Sequence, residues 1–129
     1  MRRWAQLAIF PMLLQGGWTE VGKTGTGNPV YVNSVAGRKG KDGIISATVR
    51  VVYAKKVAIP GQKDSLTASK ATAMFNCTAK TFAVKESWIY FNEKAGRTYQ
   101  HKVNQVPGYG PTIAGSFGDV ALKHYCKGA

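Results

Sequence analysis

Acidic residues are scarce in this chain. Six Asp and Glu stand against 18 Lys and Arg in 129 residues, for a formal net charge of +12. A surface of that sign repels cationic partners and steers acidic proteins and other polyanions toward it. Cysteine is scarcer still. Cys77 and Cys126 are the two, with no CxxC and no Cys/His cluster, so no metal site is encoded. Histidine is limited to His101 and His124. The carboxylates are scattered, so neither imidazole has an evident partner to orient it as a general base. No Gly-flanked Ser elbow appears. No apolar run approaches the ~20 residues of a membrane-spanning helix, which excludes stable membrane insertion. The 15 glycines follow no fixed period, which excludes a collagen-like chain. A content of 44% hydrophobic and 11% aromatic residues excludes disorder. The expectation is one globular domain and no enzyme, with no catalytic, cofactor-binding or metal-ligating residues and no cofactor.

The first residues point to export. Residues 1–17 read MRRWAQLAIFPMLLQGG. Arg2 and Arg3 form a positive start, Trp4–Leu14 a short apolar stretch, and Gly16 and Gly17 a small-residue end. That is the layout of a secretory signal peptide, with the mature domain over 18–129. A packed N-terminal helix is the alternative, and Pro11 and the glycine pair count against it. Two cysteines in an exported chain are read first as a disulfide; two buried thiols in a cytosolic protein are the other reading.

Hydrophobic periodicity outlines the mature domain. Trp18–Val21 and Val30–Asn33, separated by a glycine-rich turn, predict a hairpin. Gly37–Gly43 reads as a tight basic loop. Ile45, Ala47, Val49, Val51 and Tyr53 alternate with polar residues, so Ile44–Tyr53 predicts a half-buried strand. Ala54–Leu66, with Pro-Gly and three lysines, reads as a long exposed loop. Thr67–Asn76 and Thr78–Phe91 read as two further strands. Ser69, Ala71, Ala73 and Phe75 share a side in the first; Phe82, Val84, Trp88 and Tyr90 share one in the second, interrupted by Glu86. Thr98–Val106 reads as the last strand and Pro107–Pro111 as a rigid linker. Ser116 is a good N-cap, with Asp119 placed to complete a capping-box variant. From Phe117 to Cys126 a helical wheel gathers Phe117, Ala121, Leu122, Tyr125 and Cys126, with Asp119 and Lys123 opposite. The predicted fold is α+β: an antiparallel sheet of about five to six strands with a C-terminal helix on one face, tied by a Cys77–Cys126 disulfide.

Two motifs are set aside. Gly17–Thr24 matches the phosphate-loop pattern G-x-x-x-x-G-K-T, but Gly25–Pro29 cannot open the helix that such a loop needs. Tyr53, Phe82, Trp88, Tyr90 and Tyr99 among lysines suggest a base-stacking platform. Packing explains aromatics at strand spacing more simply, and no nucleic-acid partner is expected.

The order of these features resembles the surface-adhesin protein E-like family of Gram-negative cell-envelope proteins. The resemblance rests on the Trp18-x-x-Val21 start, Val30-Tyr-Val-Asn33 before Ser34, the run from Ser69 and Lys70 to Phe75-Asn-Cys77, and Gly115–Cys126 closing on a cysteine. It implies a sheet with a disulfide-tied C-terminal helix, a non-enzymatic protein of the periplasm, outer-membrane surface or secreted space, and a capacity to form a homodimer. It further implies binding of host extracellular-matrix proteins such as vitronectin and laminin, through a stretch corresponding to Ile59–Lys70 with Lys63 and Lys70. The expected function is therefore an exported, adhesin-like binding module that meets an acidic protein or matrix partner through basic loops. The candidate partner-binding residues are Arg38, Lys39, Lys41, Lys55, Lys56, Lys63 and Lys70, with Glu93–Lys102 as a further basic loop. The alternative is a periplasmic accessory or inhibitor protein that packs on another envelope protein through its sheet.

Overall fold

A computed structural model of the chain describes residues 17–33, 38–39 and 43–127. The expected signal segment lies outside the described residues except for Gly17, and Lys41 lies outside them too. β1 (Trp18–Lys23) and β2 (Pro29–Asn33) form the expected hairpin. Three long strands follow: β4 (Ile44–Val57), β5 (Leu66–Asn76) and β6 (Thr81–Asn92). β7 (Arg97–Val103) closes the sheet, whose continuous order is β1-β2-β4-β5-β6-β7, all antiparallel. Two two-residue strands lie off this path. β3 (Arg38–Lys39) pairs with β4, and β8 (Gly110–Pro111) pairs with β6. α1 (Phe117–Tyr125) packs on one face.

The core lies between α1 and the facing side chains of the sheet. Val30, Val32, Ala47, Val49, Val51, Ala73 and Phe75 meet Ala121 and Leu122 there. This is the face that alternation assigned to β4 and β5. Phe75 stacks on Phe82 at 6.2 Å, and Phe82 meets Phe117 edge-on at 6.0 Å. Gly118 lets the helix approach this closely, because a Cβ there would lie 2.7 Å from Phe82 Cζ. Cys126, the C-cap of α1, is bonded to Cys77 just after β5, with Cα atoms 5.3 Å apart. The expected tie between the helix and the sheet is therefore formed.

Several expectations need correction. β4 runs on to Val57, so Lys55 and Lys56 are strand residues rather than loop residues. Val57 pairs with Leu66 beyond a register shift, and Asn28 Oδ1 accepts from the Ala54 amide at 2.9 Å, which holds this extension in the sheet. The linker Pro107–Pro111 and the loop Gly37–Gly43 each contribute a short strand. Asp119 is buried at 9% exposure instead of facing solvent. The segment before the helix folds back, and its Gly115 N–H (3.1 Å) and Thr112 hydroxyl (3.3 Å) donate to the Asp119 carboxylate. Only half of the capping box forms: Ser116 Oγ accepts from the Asp119 amide.

The largest correction concerns β6. Val84 pairs with Ala73 while Glu86 pairs with Thr72, so Lys85 is an extra, bulged residue. A bulge reverses which face each later side chain occupies. Phe82 and Val84 share the helix side with Ser87 and Ile89, whereas Glu86, Trp88 and Tyr90 project from the other side. The four residues expected on one side are thus divided between two. Asn104 secures the bulge: its amide donates to Lys85 O at 2.8 Å, and its side-chain Nδ2 donates to Val84 O at 2.7 Å.

Candidate functional site

The helix-free face of the sheet carries a line of directly paired residues across all six strands. Glu20 pairs with Tyr31, Tyr31 with Arg50, Arg50 with Lys70, Lys70 with Trp88, and Trp88 with His101. Neighbours across an antiparallel pair point to the same side, so these side chains form one row. Their contacts fit that placement. The Lys70 ammonium lies 4.7 Å from the Trp88 ring centroid and 5.8 Å from that of Tyr90. The His101 imidazole stacks on Trp88 at 5.1 Å and 6°. The indole is therefore flanked by a cation from β5 and an imidazole from β7, and each limits its rotation.

Two carboxylates orient this row. Glu86, two positions before Trp88, lies 2.6 Å from His101 Nε2. Arg50 Nε donates to Glu93 Oε1 at 2.8 Å, which ties the β6–β7 turn to β4. The two ends of this face are closed. Leu66, Ala68 and Tyr90 are buried at one end. Toward the other, the Tyr109 hydroxyl donates to Met74 Sδ at 3.7 Å. The row lies between them, with Trp88 and Lys70 half-buried and His101 exposed.

The predicted basic residues fall in three places. Lys55, Lys56 and Lys63 are exposed near one end of the sheet. There Lys56 and Lys63 border a shallow cavity of about 500 Å³ together with Arg97, whose guanidinium pairs with Asp64. Arg38 and Lys39 pair with Ser46 and Ile45 at the far end of β4, roughly 30 Å away at strand rise. Lys70 stands apart from both groups, within the aromatic row. The loops hence do not merge into one patch. Sequence reading missed Arg50, Glu86, Trp88 and His101 as a set. Strand alternation alone could not join them, because the bulge at Lys85 decides which face Trp88 takes.

The remaining titratable groups belong to α1. The Gly115 amide, opposed by burial and aided by Lys123, holds the Asp119 carboxyl below its ordinary range. Burial lowers the His124 pKa, with a smaller contribution from the Lys127 charge. Burial raises that of Tyr125, whose hydroxyl has no hydrogen-bond partner among the described residues. His124 and His101 lie on opposite sides of the sheet. The Gly17–Thr24 run forms β1, and a hairpin turn follows it rather than a helix. No described helix is long and apolar enough to cross a membrane.

No family model and no curated protein matches the chain by sequence. Solved structures do resemble it. Crystal form II of Haemophilus influenzae protein E superposes with a TM-score of 0.55 over 85% of this chain and 87% of that one, at 11% identity. A second structure of Haemophilus influenzae protein E gives 0.51 over 88% and 89%, also at 11% identity. At this identity the similarity is one of fold alone.

Proposed function

We propose that the chain is an exported, non-enzymatic binding module of the protein E-like, adhesin type, and that it recognises an acidic protein through the helix-free face of its sheet. The observation that carries this reading is the row Tyr31–Arg50–Lys70–Trp88–His101. Aromatic and Arg side chains dominate binding energy at protein interfaces, and here they are held in place before any partner arrives. The charge balance supports the same conclusion. Three of the six acids are paired with cations, in Arg50–Glu93, Arg97–Asp64 and Lys123–Asp119, and Glu86 is held by His101, which leaves most lysines to set the outer field. That field steers the encounter, and Trp88 and Tyr31 supply contact area once the partner has docked. The Cys77–Cys126 bond supports export, since such bonds persist in oxidising compartments.

The test is binding of the oxidised domain to vitronectin, laminin and an acid-rich protein standard at two salt concentrations. Trp88→Ala should weaken binding by about 30-fold, the equivalent of roughly 2 kcal/mol at a buried aromatic anchor. Replacing Lys55, Lys56 and Lys63 together should slow association and flatten the salt dependence. Binding that neither salt nor Trp88→Ala alters would refute the reading. One feature favours a second mode, packing on another envelope protein through the sheet edge: all seven residues of β7 are exposed. In that mode, changes in β7 remove binding and Trp88→Ala leaves it intact.

A further inference from the structure

On its other face the sheet is only partly covered. α1 lies over the end that holds Phe75 and Ala73. Beyond it, Ser69 and Ala71 of β5 and Ser87 of β6 form a floor of small side chains. Val49 and Val51 of β4 wall one side and Ile89 of β6 the other, following the pairings Val49–Ala71–Ser87 and Val51–Ser69–Ile89. Two loops, Thr24–Asn28 and Ile113–Phe117, form the roof. They are clasped where the Gly25 N–H donates to Gly115 O at 2.9 Å. The trough is open along one side and has a volume of about 600 Å³. Sites for small organic ligands span roughly 300–1,000 Å³ and are mostly apolar.

We propose that this trough binds the hydrocarbon tail of a long-chain fatty acid, with the carboxylate at the mouth. Four observations select that ligand. The floor is narrow and runs along β5 between bulkier walls, a shape suited to an unbranched chain. No carboxylate lines the trough, and the one charged residue along it, Lys70, has its ammonium against Trp88 on the opposite face. The buried part of a ligand must then be neutral. At the mouth, Ile113 is 78% exposed, a large apolar side chain left in water beside the opening. The surrounding field comes from a chain of net charge +12, which favours an anionic head over a cationic one. Lys70 and Trp88 of the row also border the trough, but their side chains meet on the opposite face, so each proposal has its own test.

The experiment titrates delipidated, oxidised protein with laurate, below its micellar range, by calorimetry and native mass spectrometry. Dodecylammonium, of equal chain length, is the charge control. Laurate should bind one to one and more tightly than dodecylammonium. Ser87→Leu fills the floor and should lower laurate affinity by more than about tenfold, since a few methylenes of lost room cost at least that much. Ile113→Asp alters a side chain that is 78% exposed, so the fold should keep it, and it places a like charge at the mouth that should weaken laurate by about threefold. It serves as the decisive variant if Ser87→Leu fails to fold. Trp88→Ala should leave laurate binding unchanged. Absence of laurate binding, equal binding of the two amphiphiles, or indifference to Ile113→Asp would each overturn the proposal.

Discussion

Replacing both cysteines with serine tests how much of the fold depends on the bridge. Cys77 and Cys126 are 49 residues apart in sequence. Opening a loop of that length returns chain entropy to the unfolded state equivalent to about 4 kcal/mol. The unfolding entropy of the roughly 110 residues from Trp18 to Lys127 is about 0.23 kcal/mol/K, so that loss should lower the melting temperature by roughly 17 °C. The loss should act mainly on the helix, because Cys126 caps α1 and the bridge holds that cap against the end of β5. Phe117 and Tyr125, which pack on Phe82 and Phe75, would then rely on apolar contact alone. The assay is thermal and urea unfolding of the wild-type domain, oxidised and reduced, beside the Cys77→Ser/Cys126→Ser variant. The reduced wild type and the variant should coincide, with a urea slope steeper than that of the oxidised protein because the opened unfolded chain exposes more surface. A variant as stable as the oxidised wild type would refute the claim that the bridge supports the helix. Failure of the reduced protein to match the variant would show that the serines had done something else.

Two further substitutions probe local devices. Asp119→Asn should cost about 1–3 kcal/mol at neutral pH, because Thr112, Gly115 and Lys123 lose a charged acceptor. The folded pKa of Asp119 lies below its unfolded value, so the contribution is complete above pH ~4 and fades as pH falls through the folded value; the gap between wild type and variant must narrow in acid, and a gap constant from pH 7 to pH 3 would disprove the assignment. Asn104→Ala leaves the Val84 carbonyl without its side-chain donor and should cost about 1 kcal/mol by urea unfolding, with faster amide exchange confined to Lys85–Ser87. Uniform exchange along β6 would show that Asn104 does not hold the bulge.

Much of the architecture is written in local pattern. The alternation from Ile45 to Tyr53 placed the core face of β4, and the wheel from Phe117 to Cys126 placed the buried side of α1, because both depend on residues a few positions apart. Features set by distant segments were not legible. Asp119 is polar and lies opposite the apolar arc of α1, yet it is buried, because Thr112 and Gly115 fold over it from outside the helix. Lys55 and Lys56 look like loop residues beside Pro60-Gly61, but pairing with Leu66 and the reach of Asn28 keep them in a strand. The binding residues show the same divide. Composition revealed how many lysines there are, while their separation into three groups follows from the lengths of β4 and β5.

The bulge at Lys85 is where local pattern and tertiary structure diverge most, and both proposed sites depend on it. A regular strand from Phe82 would send Val84, Glu86, Trp88 and Tyr90 toward the helix side. The indole would fill the trough, and Glu86 would be a carboxylate buried over Ala71 without a partner, at high desolvation cost. One inserted residue moves Ser87 and Ile89 into that space and moves Glu86 and Trp88 out to meet His101 and Lys70. The extra carbonyl this creates would be costly if unpaired. Asn104, directly after β7, supplies the donors for Val84 O and Lys85 O. The aromatic–cationic row and the apolar trough are thus opposite consequences of one irregularity, and a chain that lost it could keep the sheet while losing both surfaces.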